Sequence, residues 1–545
     1  MDSLAFWHGL PPAKGRYPGF KPHTVRTQGI RSDYDVAVTM RDGVEIYVDV
    51  FRPERQGRYP VLIDWAPYGK HGRIKYKYFP HCGVCDDDLS PFAVFEAADP
   101  AYWCLHRYIV INPDPRGAWG SAGDLTLASP QEAEDCYDLV EWAGSQDFSN
   151  GKVGMHGASY LAWIQWKVAA LSPPHLAAIN PWEGVSDFYR ELAFHGGIPE
   201  TAFLNMWQPS VSFTQTRAED MVRMAKEHPL FDAYWQSKNA DLSKITVPAF
   251  VVASWSDHGL HARGTLEAFQ RIASEDKWLL VHGRKKWQHF YENVERQRQF
   301  FDRFLQGKES EVRHWPRVMI EVRERYFVGN LRAEREWPLA HTRYEKLYLR
   351  SDGTLGGSLA QEGAVRYAVG GRTGEAQRTQ FEYAFSKRTE LTGHMKLRLW
   401  VEAVGGDDMD LFVAIQKVDR SGEIVPFPFF SNHEDGPVAL GWLRVSHREL
   451  DEEKSTPYRP YLTHRSEQKL ADGEVVPVEI EIWPSSTLFE AGERLLIVVQ
   501  GSDIYAYPEE MNTPGHAATV NRGAHVIHTG GKYNSHLLVP VIPVG

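Results

Sequence analysis

The chain has 545 residues, 43% of them hydrophobic and 12% aromatic, with 60 basic against 71 acidic residues for a net charge of −11. That length exceeds one compact core and predicts roughly three domains, and the apolar content excludes a disordered polymer. The acidic balance, without any basic stripe, gives nucleic acid no footing, and at a mean hydropathy of −0.42 no run is apolar enough to span a bilayer.

The N-terminus, Met1-Asp-Ser-Leu-Ala-Phe-Trp-His8, lacks a basic region followed by an apolar core, so a cytoplasmic protein is expected. Residues 33 to 124 read as a sheet-building half. Val36 to Met40 and Glu45 to Phe51 alternate with period two around the turn signal Arg41-Asp-Gly43. Tyr59 to Trp65 and Arg107 to Asn112 are apolar runs suited to strands buried on both faces. Between them, Cys82-Gly-Val-Cys85 beside His81 invites a metal reading. Cys104 and Cys136 supply no second ligand pair, so the cluster reads as incidental, and no metal or cofactor is expected. The Gly-rich loop Asp114-Pro-Arg-Gly-Ala-Trp-Gly-Ser-Ala-Gly123 lacks both P-loop and dinucleotide spacing. It reads as a structural turn in which Arg116 pairs with Asp114 or a neighbouring carboxylate.

Pro130 to Ala143 has the helical period, and strand-like Val153 to His156 then enters Gly157-Ala-Ser-Tyr-Leu-Ala162. A serine on such a sharp turn, followed by an apolar helix, has the geometry of a nucleophile elbow. Its hydroxyl is exposed, and helix N-terminal amides point at the developing oxyanion. Leu161 stands where the pattern G-x-S-x-G places its last glycine, and Ser159 on its own also fits a helix cap. Roughly from Trp182 to Asp241 the chain turns helical, aromatic and methionine-bearing, without strand signals. Strand patterns return at Val247 to Ser254 and Lys277 to His282, followed by an amphipathic helix over Val294 to Leu305. Alternating strands and helices imply a mostly parallel sheet covered on both faces. From about Thr342 short strands recur with hardly any helical period, which predicts an all-β sandwich or jelly roll.

Further segments add to Ser159. Asp257 follows the strand ending at Ser254, where an orienting acid would stand; the same residue also suits capping a helix that begins near His261. His282 and His289 compete for the base in the next strand-end segment. The order Ser, Asp, His is that of α/β hydrolases. Tyr68, after another buried strand, could donate a hydroxyl to an oxyanion hole with the Tyr160 amide, or simply pack with its hydroxyl in water.

Together these segments resemble the X-Pro dipeptidyl-peptidase, cocaine esterase and α-amino-acid ester hydrolase family. The resemblance rests on Pro67-Tyr68, Asp114-x-Arg-Gly-x-x-x-Ser-x-Gly123, Glu134-Asp-x-Tyr-Asp-Leu-x-Glu-Trp142, Gly151-Lys-Val-Gly-Met-x-Gly-x-Ser-Tyr-Leu161 and Trp255-x-Asp257. In the β region it rests on Thr389 to Trp400 and Asp408-Met-Asp-Leu-Phe412. It implies an α/β-hydrolase core over 1–181 and 246–341, a helical cap over 182–245 and a C-terminal jelly roll over 342–545. It further implies Ser159 as nucleophile, Asp257 as acid, and Tyr68 with the Tyr160 amide as oxyanion hole. Family members end the histidine loop in Gly-Pro-Trp-x-His. Here Gly283-Arg-Lys-Lys-Trp-Gln-His289 keeps the ending two residues later, which favours His289 as base with His282 as the alternative.

The expected activity is acyl transfer from a small-molecule ester or amide, with ester cleavage first and X-Pro aminopeptidase action second. The second needs carboxylates for an amine, for which Glu183, Asp187 and Glu191 are candidates. A silent relative that binds carbohydrate or a partner, and a lactonising or acyl-transferring enzyme, remain alternatives, and a homodimer is left open.

Overall fold

The computed structural model describes residues 4–10, 21–71, 74–369, 377–507 and 513–543. The body of the N-terminal sheet consists of β1 (Ile30–Thr39), β2 (Glu45–Pro53), β3 (Tyr59–Ile63), β4 (Ile109–Asp114), β5 (Ser149–Ala158), β6 (Leu176–Trp182), β7 (Ala249–Ser254), β8 (Lys277–His282) and β9 (Val318–Arg325), with His23–Thr27 and Val328–Glu334 added antiparallel at its two edges. Their order is β1-β2-β4-β3-β5-β6-β7-β8-β9. β1, β2 and β4 pair antiparallel, and every pairing from β4 through β3 to β9 is parallel. β4 and β7 are buried at every position, which explains why they read as unbroken apolar runs. The sheet is covered by α1 (Pro130–Ser145), α2 (Tyr160–Leu171), α4 (Ala262–Arg271) and α6 (Val294–Leu305). Ser129 caps α1 by accepting the Glu132 N–H, with Pro130 at the first helical position. Arg116 pairs with Asp135 at 2.7 Å and Asp42 at 2.9 Å. Asp114 instead accepts the Lys70 N–H at 3.0 Å.

The segment after β6 is mainly short helices, among them α3 (Phe203–Ser210). It also carries strands that the sequence reading did not contain. Phe194–His195 pairs with Ile198–Pro199, and Arg217–Glu219 pairs with Phe6–His8 near the N-terminus. Pieces of two or three residues are too short to show a period of two.

Beyond Arg343 two antiparallel sheets face each other across a shared apolar core. One is built around β10 (Thr389–Val404) and β12 (Val476–Phe489), the other around β11 (Asp410–Val418) and β13 (Arg494–Gln500). Leu397, Leu399 and Ile480 from the first meet Val413, Ile415 and Ile497 from the second. A single backbone pairing, Arg323 with Thr487, joins β9 to this sandwich. No helix among the described residues is long and apolar enough to cross a membrane.

Candidate active site

Ser159 stands between β5 and α2 with φ 59° and ψ −114°, a conformation that strains a residue bearing a Cβ. Its N–H donates to the carbonyls of Trp182 at 3.0 Å and Glu183 at 3.1 Å. Its own carbonyl accepts the Ala162 and Trp163 amides at 2.9 and 3.1 Å. Two glycines make the turn possible. Gly157 has φ 122°, and a Cβ there would lie 2.4 Å from Leu161 Cδ2. A Cβ on Gly184 would fall 2.7 Å from the Ala162 methyl. Gly157 thus leaves room for Leu161, which stands at the pattern's last glycine position, and Gly184 leaves room for the Ala162 methyl.

The imidazole that reaches this serine is His261. Ser159 Oγ lies 3.1 Å from His261 Nε2, and His261 Nδ1–H donates to Asp257 Oδ2. The carboxylate fixes the tautomer, leaving Nε2 to accept the serine proton. Asp257 and His261 lie on the turn between β7 and α4, four residues apart. The Ala262 N–H closes back on the Asp257 carbonyl at 3.1 Å, so the turn that leads into α4 brings the two side chains together. The ring is fully buried. Burial lowers its pKa from 6.5 and the Asp257 charge opposes that shift. Burial alone would raise Asp257, yet the His261 ring holds it below the usual carboxylate value.

Neither sequence-preferred base occupies this position. Lys286–Glu292 forms a short helix, α5. Lys286 and Trp287 line the cavity in front of Ser159, while His289, about 200° round the helix from Trp287, packs against His282 with ring centroids 4.0 Å apart and a 42° tilt. The Trp-x-His ending thus points its tryptophan, not its histidine, at the cavity. His282 Nε2 lies 3.1 Å from Glu183 Oε1.

The Tyr68 hydroxyl accepts the Trp207 indole N–H at 3.2 Å and shares the cavity wall with Ser159. Burial, then the nearby Glu96 charge, pushes its pKa well up, so it stays protonated as a donor must. The Tyr160 amide is the first of α2, one of those a helix cannot satisfy internally. Its own side chain turns away to Glu132, 2.7 Å from both carboxyl oxygens. Ser159 and Tyr68 open on a cavity of about 700 Å³ walled by Phe95, Phe203, Trp207, Trp287 and Phe430. Phe430 comes from the sandwich, where its N–H donates to the Ser256 carbonyl at 2.8 Å.

The carboxylates proposed from sequence for an amine are otherwise engaged. Asp187 pairs with Arg190 at 2.7 Å, and Glu191 with Arg263 at 2.8 Å. Glu183 is buried beside His282. None of the three lines the cavity around Ser159. No disulfide involves Cys82 or Cys85, and the one metal-compatible group among the described residues, Asp35, Asp49 and His71, is occupied by Lys70 Nζ, 2.5 Å from Asp35 and 2.9 Å from Asp49.

Sheet order, elbow and appended sandwich define an α/β hydrolase with a C-terminal β domain. The family model of X-Pro dipeptidyl-peptidase (S15 family) matches residues 42–220 and 208–291. That of the X-Pro dipeptidyl-peptidase C-terminal non-catalytic domain matches 311–538. A solved CocE/NonD family hydrolase from Staphylococcus aureus is 41% identical over 100% of this chain and 99% of its own, with a TM-score of 0.92. Cocaine esterase from Rhodococcus sp. (strain MB1 Bresler) is 25% identical over 93% of this chain and 98% of its own. An α-amino acid ester hydrolase shares the fold, at 18% identity and a TM-score of 0.73 over 98% of this chain and 100% of its own. The chain belongs to this X-Pro dipeptidyl-peptidase and cocaine esterase family of hydrolases.

Proposed function

We propose that the protein is a serine hydrolase that cleaves a carboxylic ester carrying an aromatic or bulky apolar group, through an acyl-enzyme. The observation that carries this reading is the 3.1 Å approach of Ser159 Oγ to His261 Nε2, with Nδ1 held by Asp257. In the first step His261 Nε2 takes the Ser159 proton as the oxygen attacks the carbonyl carbon. The Tyr68 hydroxyl and the Tyr160 N–H receive the oxyanion, and His261 then passes the proton to the leaving oxygen. Water deacylates the serine by the same route. An aromatic-walled cavity of this size suits an apolar acyl or alcohol group.

The X-Pro peptidase reading is favoured by the matched family models. It needs a carboxylate free to bind an amine in the cavity. Glu96 lines that cavity, but its charge is matched by the Lys286 ammonium at 3.3 Å, which disfavours a second ammonium there and supports ester cleavage over aminopeptidase action. Intact-mass detection of a fluorophosphonate adduct, with aryl-ester and X-Pro aryl-amide turnover on the same preparation, tests both. An adduct lost in Ser159→Ala and turnover of the ester alone are expected. No adduct, or turnover of the amide alone, would contradict the proposal.

A further inference from the structure

Behind the Ser159–His261–Asp257 array lies a second buried carboxyl with no task in the chemistry above. Glu183 follows β6 with φ 49°, a left-handed conformation rare for a glutamate. It is held there because its N–H donates to the Val252 carbonyl at 2.8 Å and its carbonyl accepts the Ser159 N–H at 3.1 Å. The side chain has no exposure to solvent.

Its proton can be located from its neighbours. His282 Nδ1 accepts the Arg284 N–H at 3.1 Å, so the ring proton is on Nε2 and donates to Glu183 Oε1 at 3.1 Å. That leaves Glu183 Oε2, and the Glu183 and Asp257 carboxyls interact electrostatically with each other. Asp257 Oδ2 is taken by His261, which leaves Oδ1. Asp257 Oδ1 and Glu183 Oε2 are both buried oxygens without a hydrogen-bond donor among the described residues. Two ionised carboxyls buried next to each other without a donor are unfavourable, whereas one shared proton satisfies both. The other groups facing the pair agree. Lys286 supplies the one ammonium, 3.3 Å from Glu96. The Trp182 indole faces Glu183 outside hydrogen-bond geometry. His289 lies behind His282. If Glu183 were ionised, one ammonium would stand against three carboxylates. With Glu183 neutral there are two, and the imidazolium that forms on His261 brings the cluster to balance.

We propose that Glu183 is a positioning residue that is protonated at neutral pH and donates its proton to Asp257 Oδ1, locking the carboxylate that aligns His261. The role in turnover rests on the serine hydrolase reading; the location of the proton does not. Burial, reinforced by the Asp257 charge, drives Glu183 in the same direction, with its pKa well up.

The test compares wild type, Glu183→Gln and Glu183→Leu. Glutamine keeps the shape, offers an N–H to Asp257 and still accepts from His282, and it removes no charge if the glutamate is neutral. Glu183→Gln is expected to keep kcat within about twofold and to leave the acidic limb of kcat/KM in place, below pH 6.5 in wild type. Removing an ionised neighbour would move that limb down by about one pH unit or more, and such a shift would overturn the proposal. Glu183→Leu strands Asp257 Oδ1 and is expected to lower kcat on the order of tenfold. The infrared difference spectrum between wild type and Glu183→Gln at pH 7 reads the proton without any turnover. Loss of a protonated-acid C=O band is expected, and loss of carboxylate bands instead would overturn the proposal. Fluorophosphonate labelling of wild type judges the hydrolase reading separately.

Discussion

Removing one hydroxyl at the cavity wall gives the clearest effect of a single group. Tyr68→Phe keeps the ring packed against Phe95 and Tyr160 and deletes the hydroxyl at the cavity wall together with its bond from the Trp207 indole. A fall in kcat on the order of a hundredfold, at nearly unchanged KM, is expected for a group that acts on the oxyanion alone. Steady-state hydrolysis of an aryl ester measures it, and an equal loss in KM with kcat intact would assign Tyr68 to ground-state binding. Ser159, Asp257 and Tyr68 could be singled out from sequence because each follows a strand whose apolar run is plain. His261 could not. Its spacing from Asp257, Asp-x-x-x-His, is also that of a capping acid and the first turn of a helix, and the Trp-Gln-His289 ending drew attention to the following segment. The missing signal was that same i,i+4 spacing, which places an imidazole on its carboxylate whenever the turn closes.

At the scale of elements, the elbow works because β5 and α2 meet across residues without side chains. Gly157→Ala puts a methyl 2.4 Å from Leu161 Cδ2 and 3.0 Å from the Glu96 carbonyl at a φ of 122°. A loss of about 1–3 kcal/mol in unfolding free energy is expected from strain and overpacking, read from the urea midpoint, and an unchanged midpoint would contradict this view of the turn. The strands of the sheet and sandwich were legible because periods of two, or runs buried on both faces, survive in the sequence. The two- and three-residue strands at Phe194–His195 and Arg217–Glu219 were not, since their pairing depends on partners brought in by the fold. The room that Gly184 leaves for Ala162 is equally invisible along the chain, because the two meet only across the α2–β6 junction.

For the whole molecule, the segment between β6 and β7, helix α4 and the sandwich are tied by one buried guanidinium. Arg263 of α4 reaches Glu191 at 2.8 Å and Glu481 of β12 at 3.0 Å, in a place where one-sided removal leaves the Glu191 carboxylate fully buried without its ion pair. Arg263→Leu is expected to cost about 3–5 kcal/mol, seen as a lower urea midpoint. Arg217→Leu, which breaks the exposed pair with Asp124, should leave the midpoint in place; equal effects would refute the tie. Composition and strand spacing announced an appended β domain. That this domain contributes Phe430 to the cavity and Glu481 to Arg263 was not legible, because neither residue carries a local signal and both act across more than 200 positions of sequence.

Which histidine serves Ser159 is decided most directly by the rate of fluorophosphonate labelling in His261→Ala and His289→Ala, each checked for folding by its melting temperature. Labelling reduced at least a thousandfold, roughly, in His261→Ala and close to wild type in His289→Ala is the expected result. Labelling that survives in His261→Ala and disappears in His289→Ala would contradict it and return the base to the strand-end segment.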